Sequence, residues 1–171
     1  MQTKEKVLEV RDLSVGFVSH GKKVNVIRNV TMDVYQGETL AIVGESGSGK
    51  SVFTKTFTGM LDANGYISSG SILFHGEDLT KKTKHEQWKG IRGKRISTIF
   101  QDPMTSLNPL LTIGYQIAEV LMLHHGMGMK EAKEEAIKLL EKVRIPDPRG
   151  RMNDYPFQYS GGMRQRVVIA I

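Results

Sequence analysis

The sequence predicts a mixed α/β fold with three parts in chain order: an antiparallel β piece, a strand–loop–helix core and a helical subdomain. Apolar and polar residues alternate over 7–18 and 24–35, which predicts a pair of half-exposed strands. The apolar run ETLAIV (38–43) precedes a glycine-rich loop and predicts a strand covered on both faces. From Ile113 onward apolar residues recur at helical spacing, which predicts the helical subdomain.

Composition limits the class of protein. The chain has 171 residues, of which 39% are hydrophobic and 25% charged, as is typical of a globular domain with a buried core. It contains no apolar run of the roughly 18 residues that a membrane span requires, and its first ten residues lack the apolar core of a secretory signal. The absence of cysteine excludes disulfides and thiolate metal sites. We therefore expect an intracellular protein.

The net charge of +6 is concentrated in residues 81–95, which hold seven lysines and arginines and one acidic residue. A run of this kind is either a solvated surface or a binding site for a polyanion. A solvated surface is favoured, because the lone Trp88 does not form the array of aromatic side chains on which single-stranded nucleic acid stacks.

The remaining β elements and the first helix follow from local chemistry. Gly21 and its neighbouring lysines predict a hairpin turn between the first two strands. The glycine-rich loop leads into a helix that extends to about Met60. SILFHGEDL (71–79) predicts a strand and a turn, and RISTIF (95–100) predicts another short buried strand.

Two longer helices are predicted in the helical subdomain. IGYQIAEVLMLHH (113–125) forms the first, and GMGM separates it from KEAKEEAIKLLEKV (130–143), where Ala136, Leu140 and Val143 share one face. Pro146 and Pro148 stop this second helix, because proline lacks the N–H group that a helix interior needs.

The loop GESGSGKS (44–51) matches the phosphate-binding pattern G-x-x-x-x-G-K-[ST] between a predicted strand and a predicted helix. Glycines let backbone N–H groups turn inward toward an anion, and the positive end of the helix faces the same point. A structural turn would explain the glycines but not the Lys50–Ser51 pair. Lys50 is predicted to contact the β- and γ-phosphates and Ser51 to ligate Mg²⁺. The predicted nucleotide-binding residues of this loop are Gly44, Glu45, Ser46, Gly47, Ser48, Gly49, Lys50, Ser51 and Val52.

A second phosphate-facing surface is predicted about 110 residues later, in YSGGMRQRVVIAI (159–171). Ser160 is a good N-cap, and Gly161 and Gly162 leave the N–H groups of the following helix open to an anion. The phosphate loop alone is shared by kinases, GTPases, helicases and transport motors. The second motif is what separates these classes.

With both motifs in this order, the sequence resembles the ATP-binding subunit of an ABC transporter, whose signature motif commonly begins LSGGQ. Tyr159 stands in place of the leucine and Met163 in place of the glutamine. SGGMRQR is similar to the form found in the oligopeptide, dipeptide and nickel importer subfamily. The resemblance implies a P-loop NTPase core with an N-terminal antiparallel β piece and a helical subdomain.

The resemblance extends to IFQDPMTSLNP (99–109), which is similar to the segment that follows the Q-loop in peptide importers. It implies that Gln101 is a catalytic residue that contacts Mg²⁺ or the attacking water and links the core to the helical subdomain. The alternative is a purely structural role, in which the amide of Gln101 follows a buried strand and caps a turn. Asp102 satisfies the pattern of a strand followed by a metal-binding aspartate, but its place beside Gln101 favours the Q-loop. Phe17 lies where the family stacks an aromatic ring on adenine, although ordinary strand packing explains it equally well.

The family pattern also suggests the domain organisation. Residues 1–103 correspond to the β piece and nucleotide-binding core, 104–159 to the helical subdomain, and 160–171 to the signature motif and the start of its helix. The family's Mg²⁺-binding aspartate, catalytic glutamate and switch histidine follow this motif and are not among the 171 residues. We therefore expect a fragment that binds ATP but is inactive alone.

The function implied by the resemblance is that of an ATPase motor in a peptide importer, with ATP and Mg²⁺ as cofactors. The implied partners are a second ABC ATPase subunit, two transmembrane permeases and an extracytoplasmic solute-binding protein, and no nucleic acid. The implied location is the cytoplasmic face of the membrane, as a peripheral protein. One alternative is an ABC-type ATPase acting on nucleic acid, which predicts long insertions or zinc ligands. Another is a nucleotide-binding module without turnover.

Overall fold

The computed structural model describes residues 4–100 and 106–171. The chain divides into two compact units, Met1–Ile96 and Ser97–Ile171. The predicted Q-loop residues Gln101 and Asp102 lie outside the described residues.

The first unit contains a four-stranded antiparallel sheet in the order β2-β1-β3-β4. The predicted hairpin of β1 and β2 is confirmed, and the strand and turn predicted at 71–79 belong to a second hairpin of β3 and β4. His20 and Gly21 connect the first hairpin with φ angles of 49° and 74°, and His75 and Gly76 connect the second with 45° and 77°. Two consecutive positive φ angles are typical of the two-residue turn that matches the twist of the flanking strands. The strands are β1 (Lys6–Ser19), β2 (Lys22–Tyr35), β3 (Gly65–Phe74) and β4 (Glu77–Asp78).

Helix α1 (Lys50–Phe57) follows the glycine-rich loop, as predicted, and belongs to the same apolar core as the sheet. Val10 and Val15 of β1 and Ile72 of β3 are fully buried in this core, and Phe53 of α1 is 5% exposed. Burial of Phe53 therefore ties the helix that follows the loop to the sheet.

Two predicted strands, 38–43 and 95–100, are absent, and both predictions are wrong for the chain as folded here. A strand is held by hydrogen bonds to its neighbours, and among the described residues no strand pairs with either segment. Val43 is 86% exposed and Phe100 45% exposed. The first segment borders an open apolar cleft of about 520 Å³, to which Ile27 and Phe53 also contribute.

The second unit is helical. It contains α2 (Ile113–His125), α3 (Met129–Lys142), the short α4 (Pro148–Arg151) and α5 (Gly161–Ala170). The predicted break at GMGM is confirmed, since Gly126 ends α2 with a φ of 67° and Gly128 is the N-cap of α3. Within residues 4–100 and 106–171, no helix has the length and apolar character needed to cross a membrane.

The core of the second unit contains the predicted face of α3. Ala136 and Leu140 are fully buried, and Val143 packs against the same cluster at the C-cap of the helix. Pro146 follows the end of α3, as predicted, whereas Pro148 begins α4, where the missing N–H group has no cost. The cluster also includes Tyr159, immediately before the signature motif.

Candidate functional site

Residues 44–51 form a loop whose backbone depends on glycine. Gly47 and Gly49 have φ angles of 81° and 93°, a region that other residues enter only with strain. A β-carbon at Gly49 would lie 2.7 Å from Cδ1 of Ile27, and one at Gly44 would lie 2.9 Å from Oγ of Ser48. The loop therefore has no room for side chains at these points, and its backbone remains accessible.

Gly49 is also the N-cap of α1, so the first N–H groups of the helix have no side-chain cap. Helix geometry leaves these groups without an intrahelical acceptor, and the helix dipole makes this end positive. The first turn carries no acidic residue that would repel an anion. Loop and helix together form a candidate site for the phosphates of a nucleotide.

Lys50 is the charged side chain of this site. Its Nζ donates hydrogen bonds to the carbonyl oxygens of Gly44 at 2.8 Å and Glu45 at 2.6 Å, and it lies 3.4 Å from Oγ of Ser48. The ammonium group thus folds back over the loop and contacts neutral oxygens. Phosphate oxygens would be stronger acceptors, because their negative charge attracts the ammonium group more strongly than a neutral carbonyl oxygen does.

Ser51 lies in the first turn of α1 and is exposed, so its hydroxyl is available as a hard oxygen ligand. Glu45 and Ser46 are exposed on the loop, and Val52 is half-buried. Among the described residues, no group of three or more acidic or histidine side chains is arranged to hold a metal ion. Of the residues in this part of the site, Ser51 is the one predicted to ligate Mg²⁺.

An apolar strip leads away from the loop along the sheet. Val26 Cγ1 lies 3.5 Å from the β-carbon position of Gly49, so its side chain borders the loop. Two residues earlier, Val24 is 50% exposed and pairs across the sheet with Phe17 of β1, which places both side chains on one face. The strip is a candidate surface for a nucleotide base. From the sequence, Phe17 is predicted to contact the base, but Val24 and Val26 are not. The signal for them was the alternation of valine with polar residues in KKVNV (22–26).

The signature motif lies in the second unit. Ser160 is the N-cap of α5, as predicted, and its Oγ accepts a hydrogen bond from the N–H of Met163 at 3.3 Å. Gly161 and Gly162 begin the helix, and a β-carbon at either would have no atom within 4 Å. Neither has a positive φ. No described contact and no backbone angle requires glycine at these positions, although each costs the helix about 1 kcal/mol relative to alanine.

Tyr159 holds the start of this motif in place. It is 2% exposed, and its hydroxyl donates a hydrogen bond to the carbonyl oxygen of Arg151 at 2.9 Å. The guanidinium of Arg151 lies 5.6 Å from the ring centroid. Burial raises the pKa of the Tyr159 hydroxyl to about 12. A leucine at this position would fill the core but would not make the hydrogen bond.

Tyr159→Phe is expected to lower the free energy of unfolding at neutral pH by about 0.5–1.5 kcal/mol, the net value of one hydrogen bond. The loss is moderate because the carbonyl of Arg151 also accepts a hydrogen bond from the N–H of Asp154 at 3.0 Å. Since folding raises the pKa of the hydroxyl, its contribution is complete below pH about 10 and is lost as the pH rises toward about 12. Denaturant unfolding across this range measures the effect.

The exposed Tyr155 provides the control for this prediction, because it is 39% exposed and Tyr155→Phe leaves the buried hydroxyl in place. The difference in stability between the chain and Tyr159→Phe should shrink above pH 10, whereas Tyr155→Phe should follow the unaltered chain. A constant difference up to pH 12 would contradict the assigned role of the hydroxyl.

Comparison with solved structures identifies the fold as that of an ATP-binding cassette. Over 95% of its length the chain superimposes on 67% of the cassette MJ0796, in a dimeric post-hydrolysis state bound to ADP and Pi, with a TM-score of 0.80 and 24% identity. A family model described as "ABC transporter" matches residues 27–171. The chain belongs to the ABC transporter family.

Two curated relatives align with nearly the full length of this chain. The oligopeptide transport ATP-binding protein AmiE of Streptococcus pneumoniae serotype 4 is 59% identical over 171 residues, which are 99% of this chain and 48% of that protein. The dipeptide transport ATP-binding protein DppD of Lactococcus lactis subsp. cremoris is 55% identical over 168 residues, 98% of this chain and 48% of that protein. The chain thus spans about half the length of the curated relatives it matches.

Proposed function

We propose that the chain is the ATP-binding part of a motor subunit that couples ATP binding and hydrolysis to the import of peptides or a similar small solute. The observation that carries this proposal is the loop 44–51, where Lys50 Nζ bonds to the carbonyls of Gly44 and Glu45 and the backbone turns at Gly47 and Gly49 with positive φ angles. On ATP binding, Lys50 exchanges the carbonyls of Gly44 and Glu45 for the β- and γ-phosphates. The N–H groups at the start of α1 hold the remaining phosphate oxygens.

We assign roles to three further parts of the nucleotide site. Ser51 supplies one oxygen ligand to a Mg²⁺ ion, which neutralises phosphate charge when it is bound. The strip of Phe17, Val24 and Val26 packs against the adenine ring. Gln101, outside the described residues, contacts Mg²⁺ or the attacking water.

A second ATPase subunit, identical or related, completes the hydrolytic site. Ser160, Gly161 and Gly162 face the γ-phosphate that the partner's phosphate loop holds. This role is supported by the open space at both glycines, since a side chain there would hinder an approaching phosphate. It is also supported by the dimeric state of the cassette MJ0796.

The names of the relatives support transport of peptides, and import is the direction that we propose. The proposed further partners are two transmembrane permeases and an extracytoplasmic solute-binding protein, with the chain on the cytoplasmic face of the membrane. An action on nucleic acid is disfavoured by the contacts of residues 81–95. Lys82 and Arg95 each lie 2.6 Å from the carboxylate of Glu77 and hold its pKa below the usual value, and Arg92 donates to backbone carbonyls. Much of the positive charge is therefore already partnered.

Calorimetric titration of the chain with ATP, ADP and adenosine tests nucleotide binding. We expect ATP and ADP to bind, and adenosine to bind at least about a hundredfold more weakly, because it lacks the groups that several charge-assisted hydrogen bonds recognise. Adenosine retains the base and so serves as the control for the apolar strip. Equal affinity for adenosine and ATP would refute the phosphate site.

A further inference from the structure

The C-terminal end of α1 is capped by a left-handed glycine. Gly59 adopts a φ of 61°, its N–H bonds to the carbonyl of Thr56 at 3.3 Å, and the N–H of Met60 bonds to that of Lys55 at 2.9 Å. This pair of hydrogen bonds with a left-handed glycine is a Schellman motif, which satisfies two of the last carbonyls of the helix. The chain then turns away, and the carbonyls of Thr58 and Gly59 need partners from elsewhere.

Arg92 supplies those partners from more than 30 residues away. Its Nε donates to the carbonyl of Thr58 and its Nη2 to that of Gly59, both at 2.6 Å. The guanidinium also lies 5.1 Å from the ring centroid of Trp88, which is 6% exposed. Trp88 in turn packs so closely on Gly59 that a methyl group there would collide with its ring. Arg92 and Trp88 thus clamp the end of α1 together.

We propose that Arg92 is a positioning residue for the phosphate loop and acts on it through α1. The helix has eight residues and is therefore a rigid body of about 12 Å with the loop at one end and the clamp at the other. Phe53 ties the middle of the helix to the core, and Val52 and Phe57 pack beside it, but the chain beyond Phe57 depends on other contacts. The clamp fixes the far end, and the positive charge there is favourable to the helix dipole.

The fork of the guanidinium is what this role requires. Two N–H groups in one plane reach two successive carbonyls, whereas a lysine ammonium is a point charge that cannot hold both in the same geometry. The hydrogen bonds to Thr58 and Gly59 also give Arg92 a specific role within residues 81–95, which in the sequence are only a run of positive charge. The inference rests on the proposed function, because ATP is the ligand whose affinity the loop geometry sets.

The experiment compares the chain with Arg92→Lys and Arg95→Lys by calorimetry with ATP and by hydrogen exchange without nucleotide. Arg95 is the matched control, because it lies in the same segment and pairs with Glu77 but makes no contact with α1 among the described residues. We expect Arg92→Lys to bind ATP about tenfold more weakly, and Arg95→Lys to stay within about twofold. Exchange at residues 53–55, whose N–H groups bond to the carbonyls of Gly49 and of the first turn of α1 beside the loop, should accelerate in Arg92→Lys alone.

A third variant, Arg92→Ala, separates positioning from general loss of stability. Ethylguanidinium should bind in the vacated space, restore slow exchange at residues 53–55 and recover most of the affinity for ATP. The single tryptophan, Trp88, reports on folding and on occupancy of the clamp. Unchanged exchange at residues 53–55 in Arg92→Lys would overturn the inference whether or not ATP binds. Failure of the unaltered chain to bind ATP would refute the proposed function instead, while the exchange data still decide the role of Arg92.

Discussion

Lys50→Ala is expected to weaken ATP binding by roughly ten- to a hundredfold, the equivalent of about 1.5–3 kcal/mol for a hydrogen bond to a charged group. The ammonium group lies over the loop, 2.6–2.8 Å from the carbonyl oxygens of Gly44 and Glu45, so a short displacement brings it to a bound phosphate. Without it the backbone N–H groups still hold the phosphates, but their charge is not neutralised. Calorimetric titration with ATP measures the loss.

Lys55→Ala is the matched control, because it removes the same charge from the same helix. Lys55 lies near the other end of α1, where it forms an exposed ion pair with Asp62 at 3.3 Å. Exposed pairs of this kind contribute about 0–1 kcal/mol, so Lys55→Ala should cost little stability. Both variants lose one positive charge from α1, but only Lys50→Ala alters the phosphate site. Equal affinity in Lys50→Ala and the unaltered chain would remove the phosphate-loop assignment, and so would an equal loss in both variants.

Elements whose cause is local could be predicted from the sequence. The hairpin turn at Gly21, the break between α2 and α3 and the serine cap of α5 each depend on a few adjacent residues. The same is true of the loop 44–51, whose glycines and lysine are contiguous. For these features the backbone conformation is set by the residues themselves, and tertiary context adds little.

The two wrong strand predictions have a single physical cause. ETLAIV and RISTIF have the apolar composition of strands covered on both faces, and the prediction assumed neighbours that would pair with them. A strand exists only through its hydrogen-bonded neighbours, and none is present among the described residues. Val43 and Phe100 are exposed because no other element buries their apolar side chains among the described residues.

Features that depend on distant pairing were also missed. Val24 and Val26 join Phe17 only through the register between β1 and β2, which the sequence does not reveal. Arg92 lies more than 30 residues from Thr58 and Gly59 along the chain, with β3 and β4 between them. Sequence reasoning described residues 81–95 as a solvated charged surface, whereas the structure uses one of their charges to cap the helix that follows the phosphate loop.

Gly161→Asp is expected to abolish ATP hydrolysis and peptide uptake by the whole protein while leaving ATP binding to this chain within about twofold of its original value. The new carboxylate would stand where the partner's γ-phosphate approaches, and like charges brought together at an interface cost several kcal/mol, a loss of about a hundredfold or more. The residues of the phosphate loop are unaltered, so nucleotide affinity should persist. Phosphate release, uptake of a labelled peptide and calorimetry provide the three measurements.

A folding defect does not account for such a loss, because the fold tolerates this substitution. A β-carbon at Gly161 has no atom within 4 Å, and an aspartate in the first turn of a helix is favoured by the helix dipole by about 0.3–1 kcal/mol. Gly161→Asp should therefore unfold at the same or a higher denaturant concentration than the unaltered chain. Gly161→Asn has nearly the same size without the charge, so the excess loss in the aspartate variant isolates the electrostatic effect. Retained hydrolysis in Gly161→Asp would contradict the proposed role of the signature glycines, and loss of ATP binding equal to that of Lys50→Ala would contradict their action on the partner's nucleotide.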